Sequence, residues 1–167
     1  VTLTLILTRH AKSDWDNPLL DDHDRPLNTR GQRDAPRIGA WLRDNGYVPD
    51  KVTVSSARRA QETWEGIAPA LGGKPKVNTA EKLYHASPET LLGYTRGSYA
   101  MTHMIIGHNP GMAEFAERLL FSKPDHPRFA DFPTCATLVV DCDESDWRDV
   151  QWGMGRVLDF VTPHDLP

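Results

Sequence analysis

Positions 1–8, VTLTLILT, form an unbroken β-prone run, the pattern of a strand buried on both faces as in a parallel sheet. The period then changes. Positions 14–28 are polar and carry Pro18 and Pro26, so they read as a loop. Thr29 and Gln32 have the spacing of a capping box, and Ala35, Ile38, Trp41 and Leu42 then share one helical face, with Gly46 as the stop. Pro36 conflicts with an unbroken helix, so this segment is expected to kink or to restart near Asp34. KVTVS at 51–55 is a second strand. Ala60, Trp64, Ile67, Ala68 and Leu71 mark an amphipathic helix that Gly72 and Gly73 end, with Pro69 expected to bend its last turn.

Positions 75–77 suggest a brief strand. Ser87-Pro88-Glu89 reads as an N-cap followed by proline at the first helical position, opening a helix to about Thr95. A strand over 103–107 precedes Asn109-Pro110, which opens a helix with Met112, Phe115, Ala116, Leu119 and Leu120 facing inward. Positions 122–133 read as a loop. Strands are expected over 135–141 and 156–161, with Asp141, Asp143, Glu144 and Asp146 as a solvated hairpin. Strands alternating with helices give an α/β fold with an at least partly parallel sheet. The 167 residues fit one domain spanning 1–167.

Composition adds constraints. The chain is 39% hydrophobic and 25% charged with a net charge of −4, which argues against general affinity for nucleic acid or acidic membranes but not against a small basic pocket. Cys135 and Cys142 are seven apart in a strand-like run and should point to opposite faces, so no disulfide is expected. That favours a reducing compartment. No run approaches the length of a membrane span and no signal-peptide pattern is seen, so the protein is expected to be cytoplasmic.

Ligands of open α/β sheets bind beyond the carboxyl ends of the strands. Three strands end in candidate chemistry: Thr8-Arg9-His10, Ser55-Ser56 followed by Arg58 and Arg59, and Gly107-His108-Asn109 just before a helix N-terminus. An Arg-His pair alone is close to noise. Three such clusters on one sheet edge would form a pocket for a dianion such as phosphate, since arginine pairs bidentately with its oxygens and a helix N-terminus adds N–H donors. A neutral histidine there is a competent nucleophile toward phosphorus. No metal motif is present, and arginines could supply the charge stabilisation that a metal supplies elsewhere. No cofactor is expected. The other histidines, at 23, 85, 103, 126 and 164, read as solvated, with His85 bordering the pocket. Trp15, Trp147 and Trp152 read as packing or surface residues.

At these residues the sequence resembles the histidine phosphatase superfamily. Thr8-Arg-His-Ala11 is similar to its defining motif, Ser55-Ser-Ala-Arg-Arg-Ala-Gln-Glu-Thr63 to its second and Ile106-Gly-His-Asn-Pro110 to its third, while Arg25-Pro26-Leu27 with Thr29 and Gly31 also fits. The resemblance implies a three-layer sandwich with a mostly parallel central sheet flanked by helices, as in phosphoglycerate mutases. It also implies a phosphohistidine on His10, with Arg9, Arg59 (not Arg58) and His108 holding the phosphoryl group. The opening Arg-His-Ala-Lys-Ser-Asp-Trp resembles the SixA group, named for a phosphohistidine phosphatase; Ser13 within it is a candidate substrate-binding residue. Larger relatives cover the site with an insertion for which the segment 72–101 has no room, so an open pocket is expected. The implied partner is a phosphorylated protein, such as a histidine-containing phosphotransfer domain. Glu81, three residues before Tyr84, is a candidate general acid, although phosphohistidine leaves through a readily protonated nitrogen and does not demand one. Two rivals stand beside this reading: a phosphatase of small phosphomonoesters, and a phosphate-binding module without turnover. The oligomeric state is left open.

Overall fold

Alternation of side chains along each strand fills two cores, one on each face of a six-stranded sheet. In the computed structural model, which describes residues 2–167, β1 (Thr4–Arg9) sends Leu5 and Leu7 to one face and Ile6 to the other. Val1, which the sequence pattern includes in this strand, lies outside the described residues. The other strands are β2 (Lys51–Ser55), β3 (Lys76–Ala80), β4 (Thr102–Gly107), β5 (Thr137–Asp141) and β6 (Arg156–Val161), in the order β3-β2-β4-β1-β5-β6. The first four in that order are parallel, β5 pairs antiparallel with β1, and β6 pairs antiparallel with β5. Helices α1 (Thr29–Asp44) and α2 (Arg58–Leu71) cover one face, and α3 (Pro88–Arg96) and α4 (Gly111–Leu119) the other. The result is the three-layer, mostly parallel α/β sandwich.

Several details depart from the sequence pattern. Helix α1 is capped by Asn28, whose side chain accepts from the Gly31 amide, so Thr29 is the first helical residue rather than the cap. It runs through Pro36 without restarting, and α2 runs through Pro69 to Leu71. The edge strand β3 is longer than 75–77 and mostly exposed, so no buried apolar run announced it. β5 begins two residues later than expected because Cys135 takes a positive φ of 62°, and its amide turns to the carbonyls of Arg9 and His10. Cys135 and Cys142 are both free and lie in different cores, on opposite faces as their spacing implied. No helix among the described residues is long and apolar enough to cross a membrane.

His103 corrects the expectation of a solvated side chain. It is fully buried on β4, bonded through Nε2 to Thr53 Oγ1 at 2.7 Å and stacked edge-on against Trp147. Burial, with Lys51 nearby, lowers its pKa to about 4. The unfolded chain protonates a histidine near 6.5, so between that value and about 4 the unfolded state holds the extra proton. Stability is therefore full above this window and is lost as pH falls through it. Going from pH 7 to 5, His103 is expected to remove about 2 kcal/mol. Urea titrations at the two pH values check this: His103→Gln should flatten the pH dependence by about that amount, and an unaltered dependence would reject it.

Candidate active site

The parallel arrangement of β1, β4 and β2 brings their carboxyl ends to one edge, with Arg9 in register with Gly107 and Val54 with Ile106. Arg9, His10, Arg59 and His108 consequently line one cavity of about 240 Å³. Glycine permits two close approaches that shape it. A side chain at Gly31 would collide with the Lys12 carbonyl, and one at Gly111 with the Ala86 carbonyl, so both helix starts press on segments bordering the cavity.

His10 is 6% exposed, and its Nδ1 lies 2.7 Å from the Ala11 carbonyl oxygen. A carbonyl can only accept, so Nδ1 carries the proton and Nε2 is left with its lone pair. Burial, with His108, Arg9 and Arg59 adding to it, holds the His10 pKa well below the usual value against the opposing pull of that carbonyl. The imidazole is therefore neutral and nucleophilic at pH 7. The Ala11 amide is tied to Thr63 Oγ1 at 2.9 Å, and the Thr63 hydroxyl donates to the Arg59 carbonyl at 2.7 Å. One threonine thus locks the first motif to the second.

Arg9 Nη1 donates to the Phe132 carbonyl at 3.2 Å, and its Nε is buried without a partner. Burial and Arg59 lower the Arg9 pKa. Arg59 donates through Nη1 to the Asp22 carbonyl at 2.6 Å and through Nη2 to the Asp22 carboxylate at 3.0 Å, and its Nε is also buried and unpartnered. Both guanidiniums keep donors for an anion. The adjacent Arg58 instead pairs with Glu62 on the surface. His108 stacks at 5.1 Å from His10, shares a hydrogen bond of 2.7 Å between Nε2 and Ser55 Oγ, and has a buried Nδ1 without a partner. Burial, then Arg59, push its pKa down to about 3.

Lys12 and Arg25 also line the cavity, giving four cations with Arg9 and Arg59, and among the described residues no carboxylate lines it. The overall charge of −4 conceals this local excess. Ser13 lies at the rim, its Oγ 2.6 Å from Arg25 Nη1, and His85 borders the cavity as expected. Glu81 is not brought to the site; it lines a separate depression with Thr79, Lys82 and Tyr94. Larger depressions lie over Arg30, Arg33 and Arg37, and around Phe121, but neither gathers the three strand ends.

Sequence reasoning missed Asp22. This loop carboxylate bridges Arg59 and Arg25 and accepts from Tyr84 Oη. Burial alone would raise its pKa; the bonds from Tyr84, Arg59 and Arg25 outweigh that and hold it well below the carboxylate range. It thus sets the arginines while staying ionised. Nothing local distinguishes it from Asp14, Asp16, Asp21 and Asp24 in the same polar loop. Trp15, read as a packing or surface residue, also lines the cavity.

The family model described as the histidine phosphatase superfamily (branch 1) matches residues 5–97. The chain belongs to this superfamily. An uncharacterized Mycobacterium tuberculosis protein is 34% identical over 162 residues, covering 93% of this chain and 99% of its own. A 2,3-bisphosphoglycerate-dependent phosphoglycerate mutase of Streptomyces avermitilis is 32% identical over 183 residues, covering 95% and 67%. Among solved structures, the candidate phosphohistidine phosphatase SixA of Agrobacterium tumefaciens superimposes with a TM-score of 0.78 at 28% identity, covering 96% and 99%. Within the histidine phosphatases, the chain is thus of the SixA type.

Proposed function

We propose that this chain is a metal-independent phosphatase that accepts a phosphoryl group on His10 Nε2 and acts on phosphohistidine of a signalling protein, such as a histidine-containing phosphotransfer domain. The observation that carries this reading is the His10 Nδ1 bond to the Ala11 carbonyl, which aims an unprotonated Nε2 into a cavity of four cations. In the first step Nε2 bonds to phosphorus while the substrate's P–N bond breaks, and the departing imidazole takes up a proton. In the second, water attacks the phosphohistidine and inorganic phosphate leaves. Arg9, Arg59 and His108 hold the phosphoryl oxygens throughout, as charge develops on them. Ser13 contributes by holding Arg25 at the rim.

That no carboxylate lines the cavity among the described residues favours phosphohistidine over an ester. An alkoxide leaving group needs a proton donor in the transition state, whereas an imidazole nitrogen is protonated easily. The placement of Glu81 away from the cavity points the same way. A small phosphomonoester remains the second reading, on the strength of the phosphoglycerate mutase relative.

Two measurements test the proposal. Incubation with a ³²P-phosphorylated histidine protein should give a labelled enzyme whose label is acid-labile and stable to alkali, and sugar phosphates should react far more slowly. Faster turnover of sugar phosphates would replace the first reading by the second, and binding without turnover would leave only a phosphate-binding module. Activity should also survive dialysis against EDTA; among the described residues no cluster of three or more His, Cys, Asp or Glu could hold a metal ion. Loss of activity on chelation, restored by a divalent cation, would end the metal-free mechanism.

A further inference from the structure

Trp15 is 67% exposed although it lines the cavity. One face of its indole is covered by the Arg25 guanidinium, whose Cζ lies 3.4 Å from the ring centroid. That guanidinium is itself buried and fixed by Ser13 Oγ and by the Asp22 carboxylate at 3.0 Å. The indole plane is therefore set from beneath, and its other face is open. Across the sequence, His85 also lines the cavity, from a backbone φ of 59° that non-glycine residues seldom adopt. Its ring stacks on Tyr84 at 3.9 Å, and Tyr84 is anchored on Asp22 and edge-on against His108. Two flat side chains are thus held firmly at the mouth of an anion pocket.

We propose that Trp15, with His85, forms an aromatic rim that selects substrates whose phosphoryl group is joined directly to a flat ring. With the phosphoryl oxygens on Arg9, Arg59 and His108, the next atoms of the substrate lie at the mouth, where a ring can stack on the open indole face. A sugar or polyol would find few acceptors there. No carboxylate lines the cavity among the described residues, and Asn109 is already committed, its Nδ2 to the carbonyls of Asp131 and Phe132 and its Oδ1 to the Ala113 amide. The imidazole of phosphohistidine belongs to the selected class, as does the phenyl ring of a phenylphosphonate. The inference rests on the phosphoryl-binding role proposed above and adds the class of group attached to phosphorus.

The test compares binding of phenylphosphonate and methylphosphonate, measured calorimetrically on wild type, Trp15→Ala and Trp15→Phe. Wild type should prefer the ring compound by about three- to tenfold, the range of one aromatic stacking contact. Trp15→Ala should erase the preference by weakening phenylphosphonate alone, and Trp15→Phe should keep most of it. Equal weakening of both compounds would reduce Trp15 to a support for Arg25, and a preference surviving in Trp15→Ala would assign it elsewhere; either overturns the proposal. Phosphonates cannot transfer a phosphoryl group, so the result stands apart from the chemistry at His10. If that chemistry is misassigned, the ring preference persists while phosphoramidate leaves no phosphate on the enzyme.

Discussion

Replacing His10 with alanine is expected to lower phosphatase turnover at least about a thousandfold and to abolish the labelled intermediate. The loss should not come from unfolding. His10 is a buried imidazole held neutral beside Arg9, Arg59 and His108, and such a group opposes folding wherever the unfolded chain can protonate it. Its removal should leave the melting temperature at pH 7 nearly unchanged and raise it at pH 5. The two readouts separate cleanly: activity falls while acid stability rises. His108, whose ring lies 5.1 Å away, is not expected to replace the nucleophile, because its Nε2 is engaged with Ser55 Oγ and its unpartnered Nδ1 is the atom left to hold a phosphoryl oxygen. Residual turnover above about a tenth of wild type, a loss far smaller than removal of a nucleophile produces, would place the nucleophile elsewhere.

The strand and helix pattern carried most of the fold because the sheet is buried on both faces. Leu5, Ile6 and Leu7 can serve two cores only in a central strand, and the face alternation of Cys135 and Cys142 follows from their odd spacing. The exposed edge strand β3 and the exact start of β5 were less legible, since neither depends on apolar periodicity: β3 is polar, and β5 is delayed by the left-handed turn at Cys135. The site divides along the same line. His10, Arg9 and His108 sit at strand ends, where chain order and parallel pairing place them. Trp15 reaches the cavity, and Asp22 and the Phe132 carbonyl reach its arginines, from irregular segments whose course is set by tertiary contacts, such as the Asp14 amide bonded to the Pro26 carbonyl and the Cys135 amide bonded to the end of β1. His103 was misjudged for a related reason. A histidine opening a strand looks solvated until its neighbours are known, and only the pairing of β2 with β4 sets Thr53 beside it.

The pair Arg58-Arg59 offers the second large effect, because sequence alone sees two neighbouring cations of equal rank. Arg59→Ala should cost about a hundred- to a thousandfold in kcat/KM, the scale of losing a charge-assisted donor where transition-state charge develops. Arg58→Ala should stay within about twofold, as for an exposed pair that contributes little. The difference is one of direction. Arg58 points outward to Glu62, whereas Arg59 is 4% exposed at the start of α2 and keeps an unpartnered Nε beside the nucleophile's cavity. Arg59→Lys should recover only part of the loss, since an ammonium cannot serve both oxygens of Asp22 and the phosphoryl group with a planar fork. Without Arg59 the Asp22 carboxyl loses one of the groups that hold its pKa low, though Tyr84 and Arg25 still act on it. Binding of inorganic phosphate, followed calorimetrically in the three variants, should rank them as kcat/KM does. A greater loss in Arg58→Ala than in Arg59→Ala would mean that the phosphoryl group is held outside the cavity at the ends of β1, β2 and β4, and would move the site with it.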